Sequence, residues 1–121
     1  MTIINWKNVT EKSNEFKNQT PFKFGYIKNI FENSFYDRLY DTCPNLDDFG
    51  DNSDMSRTQF VMEWGKDKYD KGEPTISGPD KRFGKEWNEL KQYAESDEFI
   101  QHWRDFSGVP VDRMKHFKFL G

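Results

Sequence analysis

The stretch from residue 80 to residue 107 constrains this chain more than any other. Phe83, Trp87, Leu90 and Ala94 recur at helical spacing and so fall on one face of a helix. Phe99, Trp103 and Phe106 continue a second apolar stripe. Between the stripes stands Ser96, whose short hydroxyl suits a helix N-cap, with Asp97 and Glu98 favourably placed in the first turn. Gly108 fits the left-handed stop after a helix, and Pro110 prevents resumption. The pattern predicts two helices over 80–107, or one helix broken near Ser96. Aromatic stripes at this spacing are core faces.

Such stripes need a core to enter. The chain has 121 residues, enough for one domain with a modest interior. Hydrophobic residues make up 34% and charged residues 32%, a polar balance. Aromatic residues compensate: Phe 12, Tyr 5 and Trp 4 supply 17% of the chain, and each buries a large area. Disordered segments are poor in such side chains, so the chain is expected to fold. Lysine and arginine number 18 against 21 aspartates and glutamates, giving 18 − 21 = −3. That balance argues against a dedicated nucleic-acid binder, which needs a basic face. The start of the chain has no apolar run of the roughly 20 residues that a membrane helix requires, and no signal peptide is read there. The single cysteine, Cys43, can form no internal disulfide; it reads as a small apolar residue near a helix end. A reducing cytoplasm is the expected setting.

The remaining segments suggest an α+β fold, short strands packed with two to three helices. Residues 1–20 read as a loosely structured N-terminal arm that pins Trp6 or Phe16 onto the body, a single α+β domain over 21–121. Phe22, Phe24 and Tyr26 alternate within 21–31 and predict a strand that Pro21 begins. A helix is expected next, with Ser34 and Asp37 as a variant capping box, Phe35 and Leu39 on one face, Tyr36 and Tyr40 on another, and Pro44 as its stop. Residues 45–56 are loop by composition. Thr58, Phe60, Met62 and Trp64 alternate with polar neighbours and predict a half-buried strand. Gly65, Gly72, Pro74, Gly78 and Pro79 mark a long loop over 65–79. A last strand is expected over 113–120, with Phe117 and Phe119 on one face.

No group of residues reads as a complete catalytic, cofactor-binding or metal site. His102 and Asp105 lie three apart on a predicted helix and could share a metal, but no third ligand is placed by spacing. A surface histidine beside a carboxylate is the simpler reading. His116 has lysine at position 118, where a His-x-Asp or His-x-Glu iron site would put a carboxylate. Asp47, Asp48, Asp51 and Asp54 form an acidic loop that misses the EF-hand spacing, so a solvated loop is expected. Lys81, Arg82 and Lys85 could meet an anion at a helix start, but no glycine-rich phosphate loop accompanies them. No nucleophile motif of the Gly-x-Ser-x-Gly kind is present.

The order of these segments nevertheless resembles a known family. Pro21-Phe22-Lys23-Phe24-Gly25-Tyr26-Ile27-Lys28-Asn29-Ile30-Phe31 is similar to the opening strand of prolyl-hydroxylase-like 2-oxoglutarate/Fe(II) oxygenases. Phe35 to Tyr40 with Cys43-Pro44 look like the short helix and stop that follow it. Glu86-Trp87-Asn88-Glu89-Leu90 and Ser96-Asp97-Glu98-Phe99-Ile100 resemble the helices before the barrel, and Lys118-Phe119-Leu120-Gly121 the strand leading toward the first iron ligand. The resemblance covers roughly 20–121. It implies the pre-barrel region of a double-stranded β-helix oxygenase, truncated before the metal-binding motif. The intact family uses Fe(II) and 2-oxoglutarate; none of its ligand positions has a counterpart here. The resemblance therefore implies a fragment or degenerate relative, inactive alone, with exposed strand edges that favour self-association into an oligomer. The other reading of the residues is a small complete intracellular binding or adaptor protein without catalytic activity.

Overall fold

A computed structural model of the chain describes residues 2–62, 64–66 and 79–110. The expected strand over 113–120, with His116, and most of the long loop over 65–79 lie outside these residues. Among the described residues the fold is α+β in the coarse sense: five α-helices, one 3₁₀ turn at Leu46–Asp48 and one two-stranded antiparallel sheet. The helices are α1 (Trp6–Glu11), α2 (Ser13–Lys17), α3 (Asn33–Asp41), α4 (Lys85–Ala94) and α5 (Asp97–Ser107).

The helix pair at the centre forms as two elements, broken at Ser96. The Ser96 hydroxyl accepts from the Phe99 backbone N–H, and Asp97 and Glu98 occupy the first turn of α5. The carboxylates sit where the helix dipole is positive. Gly108 closes α5 in the left-handed region at φ 71°, and its N–H reaches the Arg104 carbonyl at 2.8 Å. α4 starts later than the pattern implied, at Lys85, because residues 80–83 form a tight turn that feeds it.

The helices share a core of rings. Ile4, Val9, Ala94, Phe99 and Phe106 are buried together, with Trp6, Phe16, Tyr93 and Trp103 packed around them. Trp103 meets Phe106 edge-on at 5.4 Å and Trp6 at 5.6 Å. Edge-to-face rings add to simple area burial. A second cluster joins α3 to α4 through Phe35, Leu39 and Leu90. The Trp87 indole N–H donates to the Leu39 carbonyl at 3.0 Å, and Arg38 pairs with Glu86 at 3.1 Å across the same seam.

Several local expectations are corrected. Residues 6–17 are not a loose arm but two short helices. The Asn5 side chain caps α1, Val9 is 1% exposed, and the Ser13 hydroxyl donates to the Phe106 carbonyl at the end of α5. Trp6 and Phe16 do pin this segment to the body, as the sequence suggested. The segment over 21–31 is not a strand. Its ladder is limited to one bridge, Ile4 opposite Phe31, and Phe22, Phe24 and Tyr26 are exposed. Alternation alone cannot make a strand without a partner for its backbone. The Ser34–Asp37 capping box does not form: Glu32 is the N-cap of α3, and no side chain caps it.

The 58–64 strand shortens to β2 (Phe60–Val61), paired with β1 (Gly50–Asp51) inside the stretch expected to be loop. Gly50 faces Val61 and Asp51 faces Phe60. Beyond it backbone bonds continue toward the turn, Asn52 N–H to the Gln59 carbonyl at 2.8 Å and Asp54 N–H to the Arg57 carbonyl at 2.9 Å, and side chains take up further backbone donors. Asp51 accepts from the Ser53 N–H, and Asp54 accepts from the N–H groups of Ser56 and Arg57. Met62 is buried while Phe60 is exposed, so the predicted single buried face is lost.

Candidate functional site

The most organised polar constellation surrounds Asp80, which is 1% exposed. Its carboxylate receives Arg82 in fork geometry, Nε to Oδ1 at 3.1 Å and one terminal nitrogen to Oδ2 at 2.6 Å. The backbone N–H groups of Gly65 and Arg82 add 2.9 Å and 3.1 Å contacts. A paired guanidinium outweighs the burial that would favour protonation, so the Asp80 carboxyl is held down at about 2. Asn88, one turn into α4, completes the arrangement. Its Oδ1 accepts the Asp80 N–H, and its Nδ2 donates to the carbonyls of Asp80, Phe83 and Gly84. The carbonyls that lead into α4 are thereby satisfied. A further close approach fixes the same corner: a Cβ on Gly84 would lie 2.8 Å from the Thr42 Cβ at the end of α3.

Trp64 stacks on Phe83 beside this knot, centroids 3.9 Å apart and planes 6° from parallel. The two rings border an open depression of about 760 Å³ together with Lys81, Lys85, Lys91 and Gln92. Two of its lysines are engaged, Lys85 with Glu89 at 3.7 Å and Lys91 with Glu95 at 2.8 Å. Chemically the site is a latch. A carboxylate that stays ionised and spends its acceptors on the Gly65 turn and Arg82 cannot serve as an acid or base near neutral pH. It joins the chain at 64–66 to the entrance of α4.

The residues singled out in sequence are dispersed. Arg82 goes to Asp80, while Lys81 and Lys85 both line the depression, Lys85 in reach of Glu89, so the three do not act together on one anion. His102 stacks on Trp6 at 4.0 Å and lies 3.8 Å from Glu98, while Asp105 accepts from Gln101 at 2.9 Å. The His102–Asp105 pair is therefore not assembled. Asp51 and Asp54 are exposed turn residues whose carboxyls are lowered by hydrogen bonds from Ser53 and Ser56. Among the described residues no three histidine, cysteine or acidic side chains converge on a metal position. Cys43 lies directly after the end of α3, near a helix end as expected, and is exposed. No helix of the described residues is long and apolar enough to cross a membrane.

Sequence reasoning missed Asp80 altogether. The available signal was an acidic residue directly after Pro79 with arginine two positions on and asparagine eight on, just ahead of a helix. No family model, curated protein or solved structure matches this chain.

Proposed function

We propose that this chain is the helical front layer of a 2-oxoglutarate- and iron-dependent oxygenase of the prolyl-hydroxylase-like kind, a layer that supports a catalytic barrel without supplying its chemistry. The observation that carries this reading is the order and joining of three helices. The short α3, closed before Cys43-Pro44, packs on α4, and α4 runs through the Ser96 cap into α5, which ends at Gly108 ahead of Pro110. Elements in this order resemble the family's approach to its barrel. The segment over 21–31 contributes only its sequence, since it forms one bridge rather than a strand. With lysine two positions after His116, the chain offers no His-x-acid pair, and the reading makes it inactive alone.

Reading the source gene past codon 121 tests this directly. An open frame that reaches a His-x-Asp or His-x-Glu pair and a distal histidine supports it; an immediate stop codon contradicts it. Calorimetry of the isolated chain with Fe(II) and 2-oxoglutarate is expected to give no binding heat. A micromolar site would contradict the claim that the ligands are absent.

One observation favours a second reading, a small binding or adaptor protein. Phe22, Phe24, Tyr26, Tyr36 and Tyr40 are all more than half exposed. Rings left in water in such number suit a partner surface better than a free one. Capture of a partner by the chain, lost on changing Phe22 and Phe24 to serine, would favour this reading over the first.

A further inference from the structure

Charge is distributed unevenly along this chain. Residues 1–31 carry five lysines against two glutamates, 5 − 2 = +3, and all five lysines are exposed. Residues 39–56 carry five aspartates and neither lysine nor arginine, a charge of −5. Each charged segment also holds apolar side chains out in water.

In the basic segment the chain from Phe22 to Lys28 places three rings at alternate positions with Lys23 between the first two and Lys28 at its end, and Phe22, Phe24 and Tyr26 are 68%, 57% and 76% exposed. The strip is held to the body from behind. The Gly25 backbone lies against the Phe16 ring, with the ring edge 3.4 Å from a Cβ placed there, and Phe16 packs on Phe106 at 5.0 Å. The rings are thus presented outward by an anchored backbone, which lowers the ordering cost of docking. In the acidic segment Asp41 and Asp51 are exposed, and so are Tyr40, Leu46 and Met55. The β1–β2 hairpin holds Met55 at its tip through the Asp54–Arg57 bridge.

We propose that the basic aromatic strip Phe22–Lys28 docks against the acidic apolar patch over 40–55 of a second copy of this chain. Opposite charge sets the pairing and the exposed rings and aliphatic side chains supply the buried area. A second copy is the occupant because the two faces belong to one sequence, carry opposite charge and are exposed among the described residues. The contact uses side chains rather than open sheet edges, and it stands independently of the oxygenase reading.

Sedimentation velocity of the full chain over a range of concentrations tests this. Association is expected at about 0.1 M salt and should be lost near 1 M, as the screening length falls from roughly 10 Å to roughly 3 Å. Reversing charge on the strip (Lys23→Glu with Lys28→Glu) or on the patch (Asp41→Lys with Asp48→Lys) should weaken it at least about tenfold. A mixture of the two reversed chains should associate again, because each restores the complement of the other. Phe22→Ser with Tyr26→Ser should give the same loss without changing charge, and circular dichroism should show all variants folded. A monomer at every concentration and salt, association that survives the reversals, or a mixture that stays monomeric would overturn the proposal.

Discussion

The helical body and the β1–β2 hairpin are stabilised in different ways. In the body, α5 is locked by burial: Phe99, Ile100 and Phe106 are nearly inaccessible, and rings from α1 and α2 pack against Phe99 and Phe106. In the hairpin, two residue pairs form the ladder, and the remaining order comes from two further backbone bonds near the turn and from short side chains bonding to nearby backbone. Such local bonds are exchangeable with water and contribute little net stability. An isolated two-stranded hairpin is marginal by itself. The difference teaches where this fold keeps its free energy: in apolar contacts between helices distant in sequence, not in local turn chemistry.

The largest effect should come from Phe35→Ala. The ring is fully buried between α3 and α4. Its removal leaves a cavity and should cost about 3–5 kcal/mol in urea unfolding. A cost below 1 kcal/mol would mean that the α3–α4 seam is not part of the cooperative core.

Asp80→Asn comes next. It removes the buried carboxylate of the Asp80–Arg82 pair, at an expected cost of roughly 3 kcal/mol. The same pair predicts acid sensitivity. The Asp80 carboxyl is held at about 2 in the folded chain, against 3.8 ordinarily. Between those values the unfolded chain binds the extra proton, so stability rises with pH there. The contribution, about 2 kcal/mol, is fully present above pH 4 and is lost as pH falls toward 2. The Asn variant should lose this part of the acid dependence; an unchanged profile between pH 4 and 2 would remove Asp80 from the account.

Ser96→Ala should cost about 1 kcal/mol by removing the cap on the Phe99 N–H. The smallest effect belongs to the hairpin. Asp54→Ala deletes the turn bonds to Ser56 and Arg57, yet it should change global stability by less than about 0.5 kcal/mol. A loss as large as that of Ser96→Ala would erase the proposed difference between the two regions.

The same contrast explains what could be read in the sequence. Ser96, Gly108 and the stripe from Trp87 to Phe106 were legible because capping and helical periodicity are local properties, satisfied within a few residues; Phe83, expected on the same face, lies in the turn before α4. The strands were legible only in part, since β2 falls inside the expected 58–64 strand but 21–31 forms none. Phe22, Phe24 and Tyr26 alternate, but a strand needs a partner for its backbone, and alternation says nothing of whether one is present. Residues 6–17 escaped because short helices of this length are set by docking rather than propensity; Val9 and Phe16 are ordered by α5. Asp80 escaped because its partner Gly65 lies fifteen positions away, a proximity that only the fold creates.

Amide hydrogen exchange of the native chain tests the central claim most directly. The account predicts that the amides of Ile100, Trp103 and Phe106 in α5 exchange only through global unfolding, so their protection tracks denaturant in the same way as the unfolding free energy. The amides of Asn52, Asp54 and Gln59 in the hairpin should exchange orders of magnitude faster through local opening, with little dependence on denaturant. Equal, globally limited protection in both regions would contradict it and would place the hairpin within the same cooperative unit as the helices.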